Sequence, residues 1–247
     1  MEEMKKTLIK MLHVFGILGL VMACQTQETK QNKGESLKDS TTVSMDSLEL
    51  VIDTIVIKTM PKEPDYDTTE WADIALLDTS IVIDMKYATT ENFVGEKMYE
   101  CGRCFVRPEV AQSILKIQQK LRAHGLGLKM YDCFRPRPVQ YALWEKVPDP
   151  RYVSDPKKGS MHNRGAAIDI TLVTLDGQEL EMGTAFDYFG KEAYHAYQEL
   201  PEAVLKNRKF LKETMEKNGF RSIRTEWWHY SYTLKSYALS DMLWKCY

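Results

Sequence analysis

Ser160-Met-His162-Asn-Arg-Gly165-Ala-Ala167-Ile-Asp169-Ile-Thr-Leu-Val173 is the stretch on which the reading of this chain turns. Residues 166–173 are a mostly apolar run of strand length and are predicted to form a central strand. The residues before it form a loop, with Gly165 and two small alanines at the entry, a pattern that suits close packing. Such a loop leading into a strand brings Asp169 back toward His162, seven residues earlier. One other segment carries a comparable density of chemistry, Glu226-Trp-Trp-His229-Tyr.

Around this strand the pattern alternates. Residues 80–87 hold a β-branched run consistent with a strand, followed by a loop through Thr89, Asn92 and Gly95. Residues 108–124 have helical spacing, with Pro108 in the first turn, apolar residues at 110, 114, 117 and 121, and Gly125 past the end. Residues 126–131 read as a strand that delivers Arg135 and Pro136 to its end, and 138–147 as a short helix. Asp176-Gly177 predicts a hairpin turn into 178–182. A helix over 201–218 stops at Gly219, and 220–232 return as a last strand pair. Strands joined by hairpins and interspersed with helices predict an α+β fold, with a mainly antiparallel central sheet and flanking helices.

The N-terminus reads as an address. From Met4 the chain has a basic start, an apolar stretch and then Leu20-Val-Met-Ala-Cys24, the layout of a secretory signal. Glu2 and Glu3 spoil the basic region, so translation is expected to begin at Met4. The end of the stretch resembles a bacterial lipobox, which makes residues 1–23 a lipoprotein-type signal and Cys24 the lipidated residue. Lys10 and His13 interrupt the apolar run, which falls short of the roughly 20 residues of a membrane span. Residues 24–64 are expected to be a flexible tether, with an apolar run at 48–60 that could add a strand, and 65–247 a single catalytic domain.

Composition excludes little else. Thirty-three Lys and Arg against 35 Asp and Glu give a net charge of −2, with no basic block to track a nucleic-acid backbone. Beyond Cys24 four cysteines remain, at 101, 104, 133 and 246. In an exported chain these suit one or two disulfides, with three pairings open. Cys101-Gly-Arg-Cys104 has no second CxxC to complete a zinc knuckle.

Hydrolytic zinc needs three protein ligands and an open position, and mixed imidazole and carboxylate donors suit the ion. His162, Asp169 and His229 supply such a set. Glu226 lies three residues before His229, so on a straight strand the two would face opposite ways. A bend at Trp227–Trp228 would put its carboxylate beside an activated water, as general base. Arg135, on a strand-end loop, suits a developing oxyanion or, equally, a structural salt bridge. There is no HExxH signature, and taken singly each of these residues has an ordinary packing explanation.

Together the residues resemble a known pattern. Ser160-x-His162-x-x-Gly165-x-Ala167-x-Asp169 followed by Glu226-x-Trp228-His229 is similar to the zinc D-Ala-D-Ala peptidase superfamily, which includes the signalling domain of hedgehog proteins. Lys86-Tyr-Ala-Thr-Thr-Glu-Asn-Phe93, Tyr131-Asp-Cys-Phe-Arg135-Pro136, Asp149-Pro-Arg-Tyr-Val-Ser154 and Met182-Gly-Thr-Ala-Phe-Asp187 resemble the VanX-type D-alanyl-D-alanine dipeptidases within it. The resemblance implies one Zn2+ held by His162, Asp169 and His229, Glu226 as catalytic base and Arg135 on the tetrahedral intermediate. It further implies that Ser160, Asp187 and Tyr87 lie near a bound dipeptide.

Export sets this chain apart from resistance dipeptidases, which act on a cytoplasmic precursor pool. The expectation is therefore a membrane-anchored envelope enzyme with a small dipeptide substrate, serving wall turnover or scavenging. Two rivals share the same residues: a D,D-carboxypeptidase or endopeptidase acting on peptidoglycan stems, and a zinc-containing binding module without activity. Oligomeric state is not legible.

Overall fold

The structure, a computed structural model, describes residues 63–246. The expected signal, Cys24 and nearly all of the tether lie outside the described residues. In chain order the elements are β1 (Ala72–Asp73), α1 (Ile74–Leu77), β2 (Val82–Ile83), β3 (Phe105–Val106), α2 (Pro108–Arg122), β4 (Leu126–Asp132), α3 (Arg137–Lys146), β5 (Ala167–Thr174), α4 (Glu202–Glu216), β6 (Phe220–Ser222) and β7 (His229–Tyr232). Five strands form one sheet in the order β2-β4-β5-β7-β6, and β1 pairs with β3 separately.

The predicted central strand is the middle of that sheet. β5 is buried through Val173, which is why its sequence is apolar nearly throughout. β4 and β7 flank it antiparallel, and β6 closes that side antiparallel to β7. The mainly antiparallel reading therefore holds, with one exception at the edge, where β2 runs parallel to β4.

α2 forms because its apolar residues recur on one face. Val110, Ile114, Ile117 and Leu121 are all fully buried, each adding roughly 1.5–3 kcal/mol of burial. Gln118 breaks that apolar face for a reason the sequence does not disclose. Its amide donates to the Ser80 carbonyl, and its carbonyl accepts from the Leu128 amide at 2.8 Å. One buried side chain thus ties the approach to β2 to the start of β4, and so sets the parallel edge.

Three predicted elements come out shorter or different. Of residues 80–87 only Val82–Ile83 are strand, and Lys86–Ala88 tighten into a 3-10 turn that buries Tyr87. The turn at Asp176-Gly177 forms, with Gly177 at φ +87°, but a single bridge between Val173 and Glu179 follows it in place of a strand. The last helix ends at Glu216, and Gly219 turns the chain at φ +89°.

Two disulfides settle the pairing left open, Cys101–Cys246 and Cys104–Cys133. The first fastens the C-terminal segment, whose Trp244 packs edge-on against Tyr99 and close to Phe105 and Phe134. The second joins the residue before β3 to the residue after β4. Closing loops of 145 and 29 residues stabilises a fold by about 5 and 3–4 kcal/mol in the chain-entropy account.

Candidate active site

Strand register assembles the heart of the site. His229 on β7 stands directly opposite Asp169 on β5. On the other side a register shift between Met130 and Asp132 sets Asp132 of β4 opposite Asp169 as well. Irregularities of this kind re-aim side chains beside functional sites, and here the result is a row of Asp132, Asp169 and His229 across three strands.

His162 reaches the row from the loop. It opens a 3-10 turn, His162–Arg164, which ends at Gly165 in the left-handed region at φ +67°. A Cβ on Gly165 would lie 2.5 Å from the Trp71 ring, so only glycine allows this return. The expected loop-into-strand geometry is present.

Donor atoms of His162, Asp169 and His229 all lie within 4.8 Å of one another. His162 Nε2 is 3.1 Å from His229 Nδ1, which is 3.0 Å from Asp169 Oδ1. The far nitrogens are engaged elsewhere: His162 Nδ1 contacts the Cys133 carbonyl at 2.7 Å, and His229 Nε2 contacts Ser231 Oγ at 3.1 Å. When those nitrogens carry the protons, both inward nitrogens present lone pairs, the arrangement that orients histidine ligands toward a metal. Two imidazoles and one carboxylate, converging and individually buttressed, fit a zinc ion.

The bend needed at residues 227–228 is present, and Trp228 remains attached to the sheet through its carbonyl, which accepts from the Ile170 amide at 3.1 Å. It brings Glu226, buried to 8% exposure, to the same cavity as the ligand set. Burial, together with the nearby Asp169 and Asp187, pushes the Glu226 carboxyl up to about 8 despite the opposing pull of His229. Asp187 is likewise pushed up to about 8, mainly by burial and by Asp169. It sits at φ +59°, an uncommon conformation for a residue with a side chain and one that collects at functional sites. The Tyr87 hydroxyl donates to it at 3.1 Å.

Arg135 forms the salt bridge that is one of its two expected readings. Nε and Nη2 donate to Asp132 Oδ2 at 3.1 and 2.7 Å, and Nη1 donates to Gln140 Oε1. The same guanidinium lies 4.0 Å from Asp169 Oδ2 and on the cavity wall, so the salt bridge holds it ready at the site. Ser160 is in the wall too, its hydroxyl donating to Asn163 Oδ1 at 3.0 Å. All eight expected residues, Tyr87, Arg135, Ser160, His162, Asp169, Asp187, Glu226 and His229, line one cavity of about 320 Å3.

The residues that hold this set in place were not legible in advance. Asp132 anchors Arg135 and accepts from the Tyr99 hydroxyl at 2.7 Å. Asn163 donates to the Arg135 carbonyl at 2.7 Å, tying the two loops together. Phe189 stacks on Tyr152 with ring centres 4.4 Å apart and meets Phe93 at 5.0 Å, gathering three loops at the cavity. Asp132, Asn163, Phe93 and Tyr152 lie inside the stretches that carry the family resemblance, but nothing in the sequence says what they hold, and Phe189 lies outside those stretches.

Known proteins resemble this chain over most of its described length. The D-ala-D-ala dipeptidase family matches residues 67–242. A D-alanyl-D-alanine dipeptidase of Escherichia coli (strain K12) is 37% identical over 164 residues, 66% of this chain and 85% of the relative. One of Enterococcus faecium is 33% identical over 168 residues, covering 60% and 83%. Among solved structures, a zinc complex of the vancomycin resistance D,D-pentapeptidase VanY has 14% identity and a TM-score of 0.36, over 62% of this chain and 86% of that one. With a match across most of its described length and relatives at this identity, the chain belongs to the D-ala-D-ala dipeptidase family.

Proposed function

We propose that the chain is a zinc dipeptidase that hydrolyses D-alanyl-D-alanine to two D-alanines, with Glu226 as its proton-transfer group. One observation carries this reading: the buttressed His162, Asp169 and His229 donors share a small cavity with the buried Glu226 carboxylate. A zinc ion on those donors supplies Lewis acidity and makes water a stronger acid.

The chain's own groups divide the remaining work. Glu226 takes the proton from the attacking water and returns it to the leaving amine, a role that suits a carboxylate raised toward neutrality. Arg135, fixed by Asp132 and Gln140, holds positive charge where the carbonyl oxygen becomes an anion. Asp187, steadied by Tyr87, receives the substrate ammonium. Ser160 borders the cavity with its hydroxyl braced by Asn163. The cavity, at the small end of the roughly 300–1,000 Å3 typical of ligand pockets, suits a dipeptide better than a peptidoglycan stem.

We further propose that the enzyme works in the envelope, exported by residues 1–23 and anchored through a lipid on Cys24. The lipobox-like sequence and two disulfides suited to an oxidising compartment support this. Cys24→Ala should then move the protein from the membrane to the soluble fraction, and unchanged membrane association would refute the anchor.

The test of activity is release of D-alanine from D-Ala-D-Ala beside a pentapeptide ending in D-Ala-D-Ala. Cleavage of the dipeptide alone, lost in Glu226→Ala and on chelation, is expected. Cleavage of the pentapeptide would reassign the substrate, and zinc binding without cleavage of either would leave a binding module.

A further inference from the structure

Three guanidinium groups line the dipeptide cavity, those of Arg135, Arg151 and Arg221. Two of them are taken. Arg135 is held by Asp132 and Gln140, and Arg151 by both carboxylate oxygens of Asp149. Arg221 has no hydrogen-bond or ion-pair partner among the described residues, and it stands exposed at the cavity rim.

Strand register aims Arg221 at the site. It lies directly opposite Ser231 across the β6–β7 pair, and residues opposite each other in an antiparallel pair share a face. Ser231 follows His229 by two positions, so both belong to the face that carries the metal donors, and the Ser231 hydroxyl meets His229 Nε2 at 3.1 Å. Ile223, two positions beyond Arg221, lines the same cavity. Phe220, the neighbour of Arg221, is buried on the opposite face, its ring 5.4 Å from that of Tyr232.

The opposite charge sits at the other end. Asp187 is held by Tyr87, whose ring lies 4.9 Å from the Arg135 guanidinium, and Arg135 is fixed to Asp132 at the end of β4. Arg221 comes from β6, beyond the strand that carries His229. A free dipeptide is a zwitterion, with its ammonium before the scissile bond and its carboxylate after it. When Asp187 takes the ammonium, the carboxylate of the leaving residue is directed toward β6, and a guanidinium fork matches the two oxygens of a carboxylate.

We propose that Arg221 receives the free carboxylate of the substrate's second residue and so restricts cleavage to a bond followed by the end of a chain. This rests on the dipeptidase reading and deepens it. A peptide that continues past the scissile bond, or that ends in an amide, loses the pair. Arg221 acts through binding and takes no part in proton transfer, so its effect falls on KM and not on kcat.

The test compares D-Ala-D-Ala with D-alanyl-D-alaninamide on the full-length, zinc-loaded protein. Kinetics are measured on the parent, and calorimetric titration of both ligands uses Glu226→Gln, which holds them without turnover. The dipeptide should bind about fivefold more tightly than the amide, with a KM lower by a similar factor. Arg221→Gln, on an exposed position of an edge strand, should abolish that preference in both measurements, with kcat, melting temperature and the amide's own values unchanged, and Arg221→Lys should restore part of it. A preference that survives Arg221→Gln, an equal loss for dipeptide and amide, or binding of neither ligand would overturn the proposal. If the parent cleaves neither ligand while the binding preference still follows Arg221, the dipeptidase reading fails and the carboxylate contact stands.

Discussion

The dipeptide cavity and a second cavity beside α4 differ in where their charge sits: in the first the charged groups around the metal donors are buried, and in the second the lysines stand partly or largely exposed beside glutamates of their own helix. The first gathers Asp169, Asp187 and Glu226 around two histidines, with Arg135 already committed to Asp132. In the second, Arg208 is buried on backbone carbonyls, and Lys206, Lys209 and Lys212 each stand near a glutamate of α4. Carboxylates buried together at one point ask for a cation, whereas exposed charges that already have partners ask for nothing.

The largest expected effects fall on the acidic side. Chelation, or His162→Ala, should reduce D-alanine release to background and leave the acid stability set by His195 near α4 unaltered. If both change together, the contrast between the two regions fails. Glu226→Gln keeps the side chain's shape and removes its basicity. It should lower kcat about a thousandfold, within the range of general-base losses, with zinc content by metal analysis unchanged. Arg135→Lys removes the fork that Asp132 and Gln140 hold, and a loss of about a hundredfold in kcat is expected, with a smaller change in KM.

On the basic side the sharpest test is acid stability. Burial, with Lys212 and Arg208 close by and Glu216 opposing them, holds His195 at about 4 against an ordinary 6.5. Above pH 6.5 His195 is neutral whether the chain is folded or unfolded. Below it the unfolded chain takes a proton that the folded one refuses, so stability falls until about pH 4, by about 3 kcal/mol at most. Denaturant titrations across that window should lose this slope in His195→Gln. Smallest is Gly165→Ala, which meets Trp71 and must hold φ +67°. It should cost about 1–3 kcal/mol, read from its melting temperature, and displace His162 enough to weaken metal binding.

The site residues were more legible in sequence than the framework that holds them. His162, Asp169, Glu226 and His229 stand in a spacing that repeats a known pattern, and the strand bearing Asp169 declares itself by its apolar run. The framework depends on contacts between distant segments, which local patterns do not encode. Gln118 looks like an ordinary polar residue on a helix until Ser80 and Leu128 come to meet it. The parallel edge strand shrinks to Val82–Ile83 because the next residues turn to bury Tyr87. Asp132 becomes part of the site only through a register shift in β4. The pairing of four cysteines likewise waits on which chain ends the fold brings together.

The Cys104–Cys133 bridge carries one more consequence. Cys133 offers its carbonyl to His162 while its sulfur is locked to Cys104. Before that bond forms, the chain exposes free thiolates, which are strong ligands for zinc in their own right. Oxidation therefore removes the competing ligands at the same step that steadies the residue orienting His162. Where the sulfurs close before the metal arrives, the ion meets a single set of donors.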